Sequence, residues 1–184
     1  LTSVADTLNN LSSIDSLPDD TVTMGTAEVN VTDTVTLANA DTINGYTTGT
    51  VTLNSVSDTA ANLVTLAAID NSEVTMASAS ITVTDAAGTP ITAANLSVIG
   101  GATTGAVTVN NAVNITGNHD ELISALYTSD TKVYLGGGEN DASVIINDAD
   151  GVAITTKPPL AARTPPAERF TSRSCRLLSE KITG

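Results

Sequence analysis

The sequence predicts a mainly β fold with short helices, stacked as a β-solenoid-like series of repeats. Three observations point there. Segments recur at an offset of 52 residues, extended Val/Thr stretches alternate with polar turns, and aromatic side chains are almost absent. Only Tyr46, Tyr127, Tyr134 and Phe170 are aromatic, so apolar volume must come from Val, Ile, Leu and Ala. Thin layers of small side chains suit stacked repeats better than one bulky centre.

The repeat is read directly from the residues. SVADTLNNL (Ser3–Leu11) matches SVSDTAANL (Ser55–Leu63). TVTM (Thr21–Met24) matches EVTM (Glu73–Met76), and VNVTD (Val29–Asp33) matches ITVTD (Ile81–Asp85). INGYTTGTVTLN (Ile43–Asn54) matches IGGATTGAVTVN (Ile99–Asn110) after a small insertion. A weaker third copy sets Glu121–Leu135 beside Asn62–Met76, and Val144–Thr155 beside Ile81–Thr92. The copies lie near 3–54, 55–110 and 111–155, within one repeat domain of residues 1–155.

Each copy divides into two halves, each with an extended segment, a turn and a short amphipathic stretch. VTM, VNVT, TVTL, AVTV and VII alternate as half-buried strands do. Leu63, Leu66 and Ala67 share one helical face, as do Ala93, Leu96 and Ile99, and Leu122, Ile123 and Leu126. Ser57 or Asp58 is placed to cap the first of these helices. Asn118 with Glu121 forms a capping box for the last. Gly45, Gly100 and Gly101 stand where left-handed C-terminal caps are expected. A unit of roughly 22–33 residues is the size of one repeat, giving about six in the domain. Tandem immunoglobulin-like sandwiches are the alternative, but the periodic helical stretches argue against them.

Charge divides the chain. Residues 1–155 hold 18 acidic residues against Lys132 alone, whereas residues 156–184 hold six basic residues and only Glu168 and Glu180. The acidic body excludes binding to nucleic acid or to an anionic membrane. It suits a saline, extracellular setting. No apolar run is long enough to cross a bilayer, and no secretion signal is visible at Leu1, as expected for a piece of a longer chain. The segment 156–184 carries four of the six prolines and the single Cys175. It reads as a disordered or foreign basic tail, either frameshifted or a linker.

The stretch ITVTDAAGTPITAANLSVIGGATTGAVTVN (Ile81–Asn110) resembles the tandem repeats of very large surface proteins of marine cyanobacteria and other marine bacteria. The resemblance covers about 150 residues. It implies a secreted, cell-surface, adhesin-like protein, often calcium-associated. It implies a location more than an activity.

Chemistry-bearing residues are few. His119 is the single histidine, which excludes a multi-histidine metal site, and no nucleophile elbow is present. Gly136–Gly138 leads into Glu139, so it is not a phosphate-binding loop. The run from Gly136 to Asp141 is similar to a degenerate glycine-rich calcium nonapeptide, with Glu139 and Ser143 departing from that pattern. Asn147–Gly151 presents alternating oxygen ligands. Glu139, Asp141, Asp148 and Asp150 are thus the candidate calcium ligands. Against this, Asp148 corresponds to Asp85 and Asp33, where an Asx turn is the plain reading. Sequons at Asn10, Asn30, Asn95 and Asn114 matter only in a eukaryotic secretory path.

The function expected is a structural or adhesive repeat module without catalysis. Its partners are neighbouring repeats of the same chain, with a cell-surface or polysaccharide ligand as a further one. A calcium- or ligand-binding module is the first alternative. An ice-binding or polysaccharide-acting fold is the second; the Thr rows lack a constant spacing, and the acids are spread through turns.

Overall fold

The computed structural model describes residues 2–17, 24–127, 133–136 and 142–148. In chain order the elements are β1 (Ser3–Asp6), α1 (Leu8–Asp15), β2 (Glu28–Val35), α2 (Leu37–Asn44), β3 (Val51–Asp58) and α3 (Ala60–Ala67). Then follow β4 (Val74–Thr75), β5 (Ser80–Val83), β6 (Pro90–Thr92), α4 (Ala93–Gly101), β7 (Val107–Val109) and β8 (Asn114–Gly117). The last are α5 (His119–Leu126), β9 (Val133–Leu135) and β10 (Ser143–Ile146).

Seven strands form a parallel sheet in the order β1-β2-β3-β5-β7-β9, with β4 also beside β3. A second parallel sheet runs β10-β8-β6. The main sheet follows chain order because each helix carries the chain back to begin the next parallel strand. The helices pack on one another in the same sequence, α1 on α2, α2 on α3, α3 on α4 and α4 on α5.

This is a mixed α/β architecture, and it corrects the expectation of a mainly β, β-solenoid-like fold. Among the described residues, the five helices hold nearly as many residues as the strands. Parallel pairing also removes the immunoglobulin-like alternative, whose sheets are antiparallel. The physical reason lies in the short amphipathic stretches. Two-turn helices are marginal alone, but here each is capped at its start and packed against a neighbouring helix, so each forms a continuous layer element.

Strand and helix meet in one apolar core. Alternate strand residues point inward, among them Val29, Val31, Leu53, Val56, Ile81, Val83, Val107 and Val109, all almost completely buried. Leu11, Ile43, Leu63, Leu66, Leu96 and Ile99 close the layer from the helices. Each such side chain contributes about 1.5–3 kcal/mol by leaving water. Leu63 and Leu66 lie on the buried face anticipated for α3, while Ala67 is only half-buried. In α5, Leu122 and Ala125 are buried, and Ile123 and Leu126 are half-buried.

The repeated Thr-Thr-Gly turns fix the spacing between units. Thr47 Oγ1 donates to Ala27 O at 2.6 Å and accepts from Gly49 N at 2.9 Å. Thr103 Oγ1 repeats this with Ala79 O at 2.7 Å and Gly105 N at 2.9 Å. Thr47 and Thr103 are the buried polar residues among those described, and both are satisfied. Replacing Thr103 by Val keeps the volume but strands both partners. Chemical denaturation is expected to show a loss of about 1–3 kcal/mol.

The glycine caps are a second correction. Gly45 has φ −67°, and Gly100 and Gly101 lie within α4, so none is left-handed. Positive φ among the described glycines belongs to Gly25 and Gly88 instead.

Candidate functional site

A line of aspartates joins the starts of α1, α2, α3 and α5 to the unit after each. Leu8 N donates to Asp33 Oδ1 at 2.9 Å, and Leu37 N to Asp58 Oδ2 at 2.9 Å. Ala60 N donates to Asp85 Oδ2 at 2.6 Å, and His119 N to Asp148 Oδ2 at 3.0 Å. These amides are the first of their helices, unpaired within the helix and at its positive end. A carboxylate there satisfies the donor and complements the dipole.

Local caps complete each helix start. Thr7, Thr36, Thr59 and Thr92 accept from the amide of an Asn three residues on, at 3.2–3.5 Å. Asn118 and Glu121 form the reciprocal capping box expected from the sequence. The cap of α3 is Thr59, not Ser57 or Asp58. Asp58 instead binds three donors: Leu37 N from the preceding unit, Thr59 N at 2.8 Å and Asn62 Nδ2 at 2.8 Å. Burial pushes its carboxyl up, but hydrogen bonds from Leu37, Asn62 and Thr59 outweigh that and hold it below the ordinary value.

Asp148 is therefore placed at the start of α5. Glu139, Asp141 and Asp150 lie outside the described residues. The equivalence of Asp33, Asp85 and Asp148 holds in space, and each carboxylate accepts from the first amide of a helix 25 to 29 residues earlier; Asp33 and Asp85 do so instead of closing local turns. Asp148→Ala separates the two roles. With chelator present, a helix-binding carboxylate gives a loss of about 1 kcal/mol. A residue serving calcium alone leaves the melting temperature unchanged under that condition.

The outer face of the main sheet is polar. Ser57, Thr82, Thr108 and Tyr134 fall in one register row, and Ala5, Asn30, Thr52 and Thr75 in another. A register shift between Val31 and Thr34 breaks the rows, so no uniform Thr array forms there. Neighbouring strands bond laterally across this face, Thr34 Oγ1 to Ser55 Oγ at 2.9 Å and Asn54 Nδ2 to Asn30 Oδ1 at 2.6 Å. A groove of about 250 Å³ beside α3 and α4 is lined by Leu66, Met76, Val98 and Ala102, with Asn71 as its polar member. His119 Nδ1 lies 3.2 Å from Asp120 Oδ1 at the exposed start of α5. Among the described residues no three His, Cys, Asp or Glu gather as a metal site.

No protein-family model matches this chain, and no curated protein or solved structure matches it.

Proposed function

We propose that the chain is a structural or adhesive repeat module of a secreted, cell-surface protein, acting by spacing and presentation without catalysis of its own. One observation carries this reading. The polar residues that recur in the sequence bond one unit to the next: Asp33, Asp58, Asp85 and Asp148 at helix starts, Thr47 and Thr103 at turns. Their repetition is explained by propagation of the array. Each added strand advances the sheet by about 4.8 Å, so length follows unit number.

The acidic body and the resemblance to marine bacterial surface repeats support the location. The polar outer sheet face favours a second reading, in which the module also contacts a polysaccharide. Antibodies against the purified chain, applied to intact cells of the source organism, test the first reading. Surface labelling that is lost after external protease is the expected result; labelling confined to lysed cells contradicts it. Retention on a glycan array that is lost when Thr82 and Thr108 are both changed to Lys tests the second.

A further inference from the structure

The first two copies of the repeat differ at one position that bears on the groove beside α3 and α4. INGYTTG (Ile43–Gly49) and IGGATTG (Ile99–Gly105) occupy the same place in their units. Thr48 N donates to Gly25 O as Thr104 N does to Ala77 O, both at 2.8 Å. Thr47 and Thr103 reach Ala27 O and Ala79 O in the same manner. Position for position, Tyr46 therefore corresponds to Ala102. Tyr46 stands just past α2, half-buried and packed against the apolar core. Ala102 stands just past α4 and lines the groove. The second copy thus carries a methyl group where the first carries a phenol ring.

The groove has room for what is missing. Its volume is about 250 Å³, and an apolar cavity of roughly 150 Å³ suffices to hold benzene. Leu66, Val74, Met76 and Val98 give it aliphatic and thioether walls, and a thioether packs well against an aromatic edge. Val98 is 48% exposed, so a ring lying on it removes apolar surface from water. Asn71 supplies an amide that can bond a hydroxyl. Among the described residues no charged side chain lines the groove, and the body around it is acidic. A neutral ring is accepted there, whereas an aryl carboxylate meets both a desolvation cost and repulsion.

We propose that the groove between α3 and α4 is a binding site for a small neutral phenol, whose ring stands in for the side chain that Ala102 lacks relative to Tyr46. The walls and the charge balance select the ring and its neutrality, and Asn71 selects the hydroxyl.

Titration of the full chain with p-cresol, followed by amide NMR, tests this. The expected result is a set of saturable shifts centred on Leu66, Val98 and Ala102, with a Kd of about 1 mM for a ligand of this size. The same ring carrying a charge, 4-methylbenzoate, leaves those amides unshifted. Ala102→Tyr fills the groove from within the chain and abolishes the p-cresol shifts, while amides remote from the groove keep their parent positions. Should that variant unfold, Val98→Asp decides the matter. It places a charge on an already exposed wall and weakens p-cresol binding at least about tenfold. Shifts that stay linear to about 20 mM, shifts scattered away from the groove, equal shifts with 4-methylbenzoate, or undiminished binding by a folded Ala102→Tyr or Val98→Asp chain overturn the proposal.

Discussion

Alanine at position 105 leaves little folded protein, a loss of about 3 kcal/mol or more in a urea melt. Gly105 lies so close to the carbonyl of Ala79 that an added Cβ overlaps it, with Ser78 O a further 3.1 Å contact. The obstacle is backbone, and that backbone is held by Thr103 Oγ1 and by Thr104 N, which donates to Ala77 O at 2.8 Å. It cannot move aside without opening the unit-to-unit bonds. Gly49 meets Ala27 O in the same way, so Gly49→Ala follows suit. Since a domain of ordinary size holds only about 5–15 kcal/mol in all, either change takes a large share. Gly101 is the control. It ends α4 with nothing within 4 Å of an added Cβ, and alanine there raises stability by about 0.5 kcal/mol. A Gly105→Ala chain that melts with the parent would show that the turn does not fix unit spacing.

Removing the Asp58 carboxylate has the second largest effect. Asp58→Ala frees Leu37 N, Thr59 N and Asn62 Nδ2 together, and a loss of about 1–3 kcal/mol at neutral pH is expected. The pH dependence has a definite sign. Asp58 is held below its ordinary value in the folded chain, so its contribution is present above the unfolded value and is lost as pH falls through the folded one. Asp6, held low by Asn10 and by the Thr7 amide, and Asp70, held low by Ser72, act in the same direction. The parent chain therefore weakens below about pH 4, and Asp58→Ala weakens less over that range. Parallel acid slopes for the two proteins would contradict this role.

Much of the local structure was legible in the residues. The recurrence of SVADTLNNL as SVSDTAANL marks β1–α1 and β3–α3, and Asn118 with Glu121 marks the start of α5. The fold class was not legible. An eight-residue helix offers two or three buried positions, as Leu63 and Leu66 do in α3, too few to reveal a full helical layer. The Thr-x-x-Asn spacing at Thr7, Thr36, Thr59 and Thr92 was the signal that could have found it. The aspartates were misread for a different reason. Asp33 and Asp85 look like turn residues locally, but their partners stand 25 residues away, beyond the range of any local pattern. The glycine caps failed because Gly45 keeps ordinary helical φ, so position after a helix did not imply left-handed backbone.

Amide hydrogen exchange of single aspartate variants tests the account most directly. In Asp85→Ala, exchange is predicted to quicken at Ala60 N, while Leu8 N and Leu37 N keep their parent rates; in Asp33→Ala the quickened amide is Leu8 N. Exchange that changes only beside the substituted residue, with the helix 25 positions earlier unaffected, would contradict the claim that these carboxylates tie each unit to the one before it.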